Sequence, residues 1–166
     1  MGQQQLLLVI LVTILVGIAT VVAINVFGES AEQANADAVR QDLLAAASNA
    51  QAIWTKPSQL GGAGSNFTTL SEDDGDATPA RMLQQLRIPG SRGTQSIGET
   101  DPDDVESITN ENGVYTLGTV TPLSIEIIAI PTSYPNQIRL EVVRNADRTW
   151  GIDIGDDGPA PVVNIP

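Results

Sequence analysis

A chain of 166 residues with twenty acidic side chains, eight basic ones, a net charge of −12 and neither cysteine nor histidine excludes several functions before any motif is sought. Without cysteine there is no disulfide, thiolate nucleophile or Cys-based zinc site, and without histidine the Ser-His-Asp arrangement and the commonest metal ligand are gone. The acid surplus repels nucleic-acid phosphates and reads first as solubility, so no nucleic acid is expected on the isolated head and no cofactor is implied.

MGQQQ lacks the basic n-region of a secretory signal peptide, and no A-x-A cleavage site follows the apolar run behind it. That run, Leu6 to Phe27, carries no charge and no proline. As a helix it is roughly 33 Å long, enough to cross the hydrocarbon core of a bilayer. It must lie in lipid or in an equally dry protein interior. Ala19 and Ala23, four apart, share a face on which small side chains let helices approach closely. Thr13 and Thr20 can return their hydroxyls to their own backbone. Asn25 needs water or an amide partner on another helix.

Gly28 marks a change of character. Residues 30–55 are alanine-rich and amphipathic, with Ala36, Val39, Leu43, Ala47, Ala50 and Trp54 at spacings of three and four, a stripe suited to covering a sheet. A glycine costs a helix only about 1 kcal/mol, so the two halves are expected to form one rod, kinked or loosened near Gly28. Helix is expected to end at Thr55-Lys56-Pro57.

Residues 56–112 read as acidic loops around a short helix that Thr78-Pro79 opens, with Met82, Leu83 and Leu86 inward. Residues 113–155 read as an antiparallel meander of four β-branched or aromatic runs, 114–120, 123–130, 137–144 and 149–154. Residues 156–166 read as an extended tail with an edge contact at Val162-Val163. The expected fold is α+β, a long hydrophobic then amphipathic helix (residues 1–28 apolar, 29–166 head) packed on a small antiparallel sheet.

Two carboxylate clusters, Glu72, Asp73, Asp74 and Asp76, then Asp101, Asp103, Asp104 and Glu106, lack the D-x-[DN]-x-[DN]-G spacing of a calcium loop and read as solvated. No metal site and no catalytic residue is assigned, and the chain is not expected to be an enzyme. Asn66-Phe67-Thr68 is an N-x-T sequon, which makes Asn66 a candidate glycosylation site. Trp54 and Trp150 are expected to pack across the helix–sheet contact.

The apolar helix continuing into an amphipathic one over a small sheet resembles the type IV pilin superfamily. So does the passage after it, AQAIWTKPSQLGGAGSNF, with an aromatic near the helix end, a proline and a glycine-rich turn. The resemblance implies an extracellular filament with apolar helices bundled at its centre, the subunit waiting in the cytoplasmic membrane until assembly machinery extracts it. Family members are usually cut after a glycine, here Gly2. Bacterial members usually carry a glutamate five residues into the mature chain, where this sequence has Leu7. Register must then come from packing and from Gln3, Gln4, Gln5 or Asn25. The residues expected at the assembly interface are Leu7, Ile10, Ile14, Gly17, Ala19, Val21, Ala23 and Asn25, in an open homopolymer serving adhesion, motility, secretion or uptake. The alternatives are a membrane-anchored binding module using the acidic loops and a minor pseudopilin of a secretion or DNA-uptake machine.

Overall fold

The first helix, α1, runs without a break from Gly2 to Thr55. In this computed structural model, residues 2–70, 79–97, 103–159 and 163–164 are described. The chain divides into two units, residues 1–34 and 35–166. The helix continues through Gly28, so the two halves form one element as expected. Nothing in the fold demands a glycine there, because an added Cβ would meet nothing within 4 Å.

In the second unit, α1 buries Ala36, Val39, Leu43, Ala46, Ala47 and Ala50. Their three-and-four spacing makes one stripe, and alanine's small side chain lets the helix backbone lie close to what it covers. What it covers is a core shared with Tyr115, Ile125, Ile127, Ile138, Leu140 and Val142. The short helix α2 (Pro79–Gln85) closes another part of that core with Met82 and Leu83, and Leu86 follows just beyond its end.

Among the described residues the strands are β1 (Ser91–Ile97), β2 (Asp103–Thr109), β3 (Gly113–Val120), β4 (Ser124–Pro131), β5 (Asn136–Arg144), β6 (Trp150–Pro159) and β7 (Val163–Asn164). Their spatial order is β6-β5-β4-β3-β2-β1-β7, with every neighbouring pair antiparallel. Strands β3 to β6 are the expected meander. On β5, Ile138, Leu140 and Val142 are buried while Arg139 and Glu141 face the other way. Arg139 there meets Glu126 at 3.2 Å. The Glu126 carboxyl lies below the usual range, chiefly because the Thr119 N–H donates to it and secondly because of Arg139.

Two expectations need correction. The stretch after Pro89 is no loop, since β1 and β2 pair in register from Ser91↔Thr109 to Ile97↔Asp103. Gly90 starts this hairpin at φ +148°, and an added Cβ would lie 2.5 Å from the Thr109 carbonyl oxygen, so only glycine fits. The last strand is also longer than expected, since β6 extends to Pro159, while the expected edge contact of the tail is seen at Val163, which pairs with Ile97 of β1. Val162 lies outside the described residues.

Asp42 fastens α1 to the sheet. One of its carboxylate oxygens accepts hydrogen bonds from the Tyr115 hydroxyl at 2.7 Å, the Asn112 amide at 2.9 Å and the Asn110 amide at 3.2 Å. Burial first, then the Asp42 carboxylate, raises the Tyr115 hydroxyl above its ordinary value. The folded chain therefore holds this proton at pH values where the unfolded chain has lost it. Stability from this group is complete below the ordinary tyrosine value of about 10 and is lost as pH rises above it, at up to about 1.4 kcal/mol per pH unit. Urea melts between pH 9 and 11 are expected to show this fall, and Tyr115→Phe to shrink it.

Candidate functional site

The first unit is the unusual surface of this protein. Its large apolar side chains, from Leu6 through Phe27, are all exposed on the isolated chain. At about 1.5–3 kcal/mol per buried aliphatic side chain, leaving them in water costs tens of kcal/mol, more than the roughly 5–15 kcal/mol that holds a domain folded. Among the described residues, α1 is the one helix long and apolar enough to cross a membrane.

The unbroken helix places the predicted contact residues. Leu7, Ile10, Ile14, Gly17 and Val21 recur at three and four residues and share one face, which Asn25 continues. Leu7 is 67% exposed, Ile10 46%, Ile14 57% and Val21 60%. Gly17 leaves a notch among them, where an added Cβ would meet nothing within 4 Å. Ala19 and Ala23 lie on the opposite side of the helix, so the eight predicted residues make two faces. A helix apolar all round with small residues on one side and a notch on the other is suited to neighbours on several sides.

The polar atoms of the segment fall into two groups. Thr13 donates to the Ile10 carbonyl at 2.8 Å and Thr20 to the Val16 carbonyl at 2.8 Å, so neither asks for a partner. The exposed Asn25 amide makes no hydrogen bond among the described residues. It has donors and an acceptor to offer at the end of the apolar face.

No protein-family model, curated protein or solved structure matches this chain at a significant level. The functional reading therefore rests on the geometry of the chain itself.

The other predicted sites fare differently. The cluster at Glu72, Asp73, Asp74 and Asp76 lies outside the described residues, as does Asp101. Asp103, Asp104 and Glu106 belong to β2 rather than to a loop. Among the described residues no group of three acidic side chains is placed to hold a metal ion. Asn66 is half-buried, and its side-chain oxygen accepts from the Thr68 N–H at 3.0 Å and the Thr68 hydroxyl at 2.7 Å. Both polar sequon residues thus have a structural task, capping the 3-10 turn Phe67–Leu70.

Trp54 and Trp150 do meet, edge to face, with ring centroids 5.5 Å apart. Sequence reasoning missed the third member of this group, Arg144, whose guanidinium lies 5.3 Å from the Trp54 ring centre and 4.9 Å from that of Trp150. Its signal was the strand register, for Arg144 stands directly across from Trp150.

The turn after α1 is built from its own backbone. Ala63 donates to the Ile53 carbonyl, Ser65 to that of Trp54 and Gly64 to that of Lys56, satisfying carbonyls that a helix end leaves open. Gly62 sits so close that an added Cβ would be 2.2 Å from the Lys56 oxygen, which explains the glycine-rich composition here.

Proposed function

We propose that this protein is a structural subunit of an extracellular, type IV pilus-like helical filament, assembled through the apolar half of α1. The observation that carries this reading is a single helix whose first half exposes apolar side chains all round while its second half is the core helix of an α+β head. A plain anchor needs hydrophobicity alone. Two patterned faces, a glycine notch and an unmatched amide at the segment's end suit a helix surrounded by copies of itself.

Assembly moves the helix from membrane to filament centre. Both surroundings are apolar, so hydrophobic transfer contributes little and the gain comes from side-chain packing and from polar partners for Asn25. Extraction of so apolar a segment calls for assembly machinery in the membrane. Contacts that repeat head to tail without closing give an open fibre.

Negative-stain microscopy of material sheared from cells, with mass spectrometry of its polypeptide, tests the reading. Long fibres of this one chain are expected. Short stubs would assign it instead to the tip-forming pseudopilins, and a protein found only as membrane-embedded monomer would make it an anchored module. The measured mass also reports whether Met1-Gly2 are removed.

A further inference from the structure

Positive charge is scarce in this chain, and much of what exists is already engaged. Arg40 bridges Asp37 at 3.1 Å and Asp156 at 3.0 Å, Arg139 holds Glu126, and Arg144 lies over the two tryptophans. Lys56 and Arg87, like Arg148, are not engaged in this way. Lys56 and Arg87 are both exposed, and among the described residues neither has an ion pair, hydrogen bond or ring contact through its side chain. They line one groove of about 380 Å³ at the C-terminal end of α1, together with Asn49, Gln85 and Gly61. Among the described residues that line it there is no carboxylate.

The backbone at Arg87 adds a second observation. Arg87 has φ +60°, its N–H donates to the Gln84 carbonyl, and the Ile88 N–H donates to that of Leu83. This is the left-handed C′ position that ends a helix, where glycine is the residue of least strain. An arginine there costs on the order of 1 kcal/mol. Among the described residues its side chain gains no contact that offsets this cost.

The complementary charge lies at the end of the apolar stretch. Glu29 and Glu32, three residues apart on α1, come just after Phe27 and Gly28, are exposed, and have no ion pair among the described residues. If the apolar segments of many copies gather, these two carboxylates per chain are brought towards the same dry boundary, where charge without a partner is costly.

We infer that the groove of Lys56 and Arg87 receives Glu29 and Glu32 of a second copy of this chain. Two cations meet two carboxylates, and because the two surfaces differ, the contact is heterologous and propagates instead of closing. The inference rests on the filament reading. It adds what that reading lacks, a charged contact that fixes how far one subunit is displaced along the next.

Lys56 is the chain's only lysine, which makes the test direct. Native fibres are treated with a water-soluble carbodiimide, which joins a lysine amine to a carboxylate in contact with it, and the dimer band from a denaturing gel is digested and sequenced by mass spectrometry. The expected product is an amide between Lys56 and Glu29 or Glu32, absent from detergent-dispersed monomer. In parallel, Lys56→Glu with Arg87→Glu is expected to lower fibre yield at least about tenfold without changing head stability, as neither side chain supports the fold. If the unmodified chain makes no fibres, the filament reading itself fails. Fibres in which Lys56 joins only to other carboxylates or to none, or in which the double variant assembles normally, would overturn this pairing while leaving that reading intact.

Discussion

A chain carrying Gly17→Trp is expected to make almost no fibres while its head stays as stable as before. Gly17 sits on the face of Leu7, Ile10, Ile14 and Val21 and leaves a notch there. In the isolated chain an indole at this position meets open space, because an added Cβ has no neighbour within 4 Å. Nor does it disturb the head, whose core begins at Ala36. A bilayer accommodates the indole as well. Only a closely packed neighbouring helix would be displaced by it, and holding two helices apart by a side chain's width forfeits most of the dispersion contact between them. Fibre yield is expected to fall at least about a hundredfold, corresponding to the loss of about 3 kcal/mol per subunit contact. Calorimetry of the detergent-dispersed chain should show an unchanged head transition. Normal fibre yield would mean that this face is not packed against a neighbour.

Replacing Asp42 by alanine is expected to be among the most damaging single changes to the head. The Tyr115 hydroxyl and the Asn110 and Asn112 amides all converge on one carboxylate oxygen. Removing it leaves the hydroxyl of a buried ring without its acceptor and takes away two amide contacts that tie the β2–β3 turn to α1, leaving the bond from the Asn35 amide to the Asn112 carbonyl. An unpaired buried donor costs about 1–3 kcal/mol, so a total of about 2–4 kcal/mol is expected. In a domain of this size that lowers the melting temperature by about 5–15 °C. Both tryptophans lie in the head, so their fluorescence reports its unfolding. Asp42→Asn keeps an acceptor oxygen without the charge and should lose about half as much. In a double-mutant cycle with Tyr115→Phe the two losses should not add.

Much of this fold was legible because its strongest signals are hydrophobic periods. The stripe of Ala36, Val39, Leu43, Ala47 and Ala50 and the alternation of Ile138, Leu140 and Val142 each name the face that becomes buried. β1 and β2 were not legible for the same reason. SRGTQSI and DDVESIT are polar throughout most of their length, and Ile108 of β2 is in the core. Such strands are held by backbone pairing and by position beside β3, which composition does not report. Asp42 was hidden because one acidic residue beside a helix stripe looks like any solvated charge until the fold brings Tyr115, Asn110 and Asn112 to it. Lys56 and Arg87 stand 31 residues apart and become a pair only when the turn after α1 meets the end of α2. The apolar face of α1 needed no such folding. Its residues lie within one helix, so spacing alone places them.

The central claim concerns where the apolar helix comes to rest, and a photoreactive phenylalanine derivative introduced at Ile14 asks that question in living cells. After irradiation, the account predicts a ladder of covalent dimers, trimers and higher multiples of this chain, recovered from material outside the cell. Irradiation that yields only monomers bearing lipid, all of them in the membrane fraction, would contradict it.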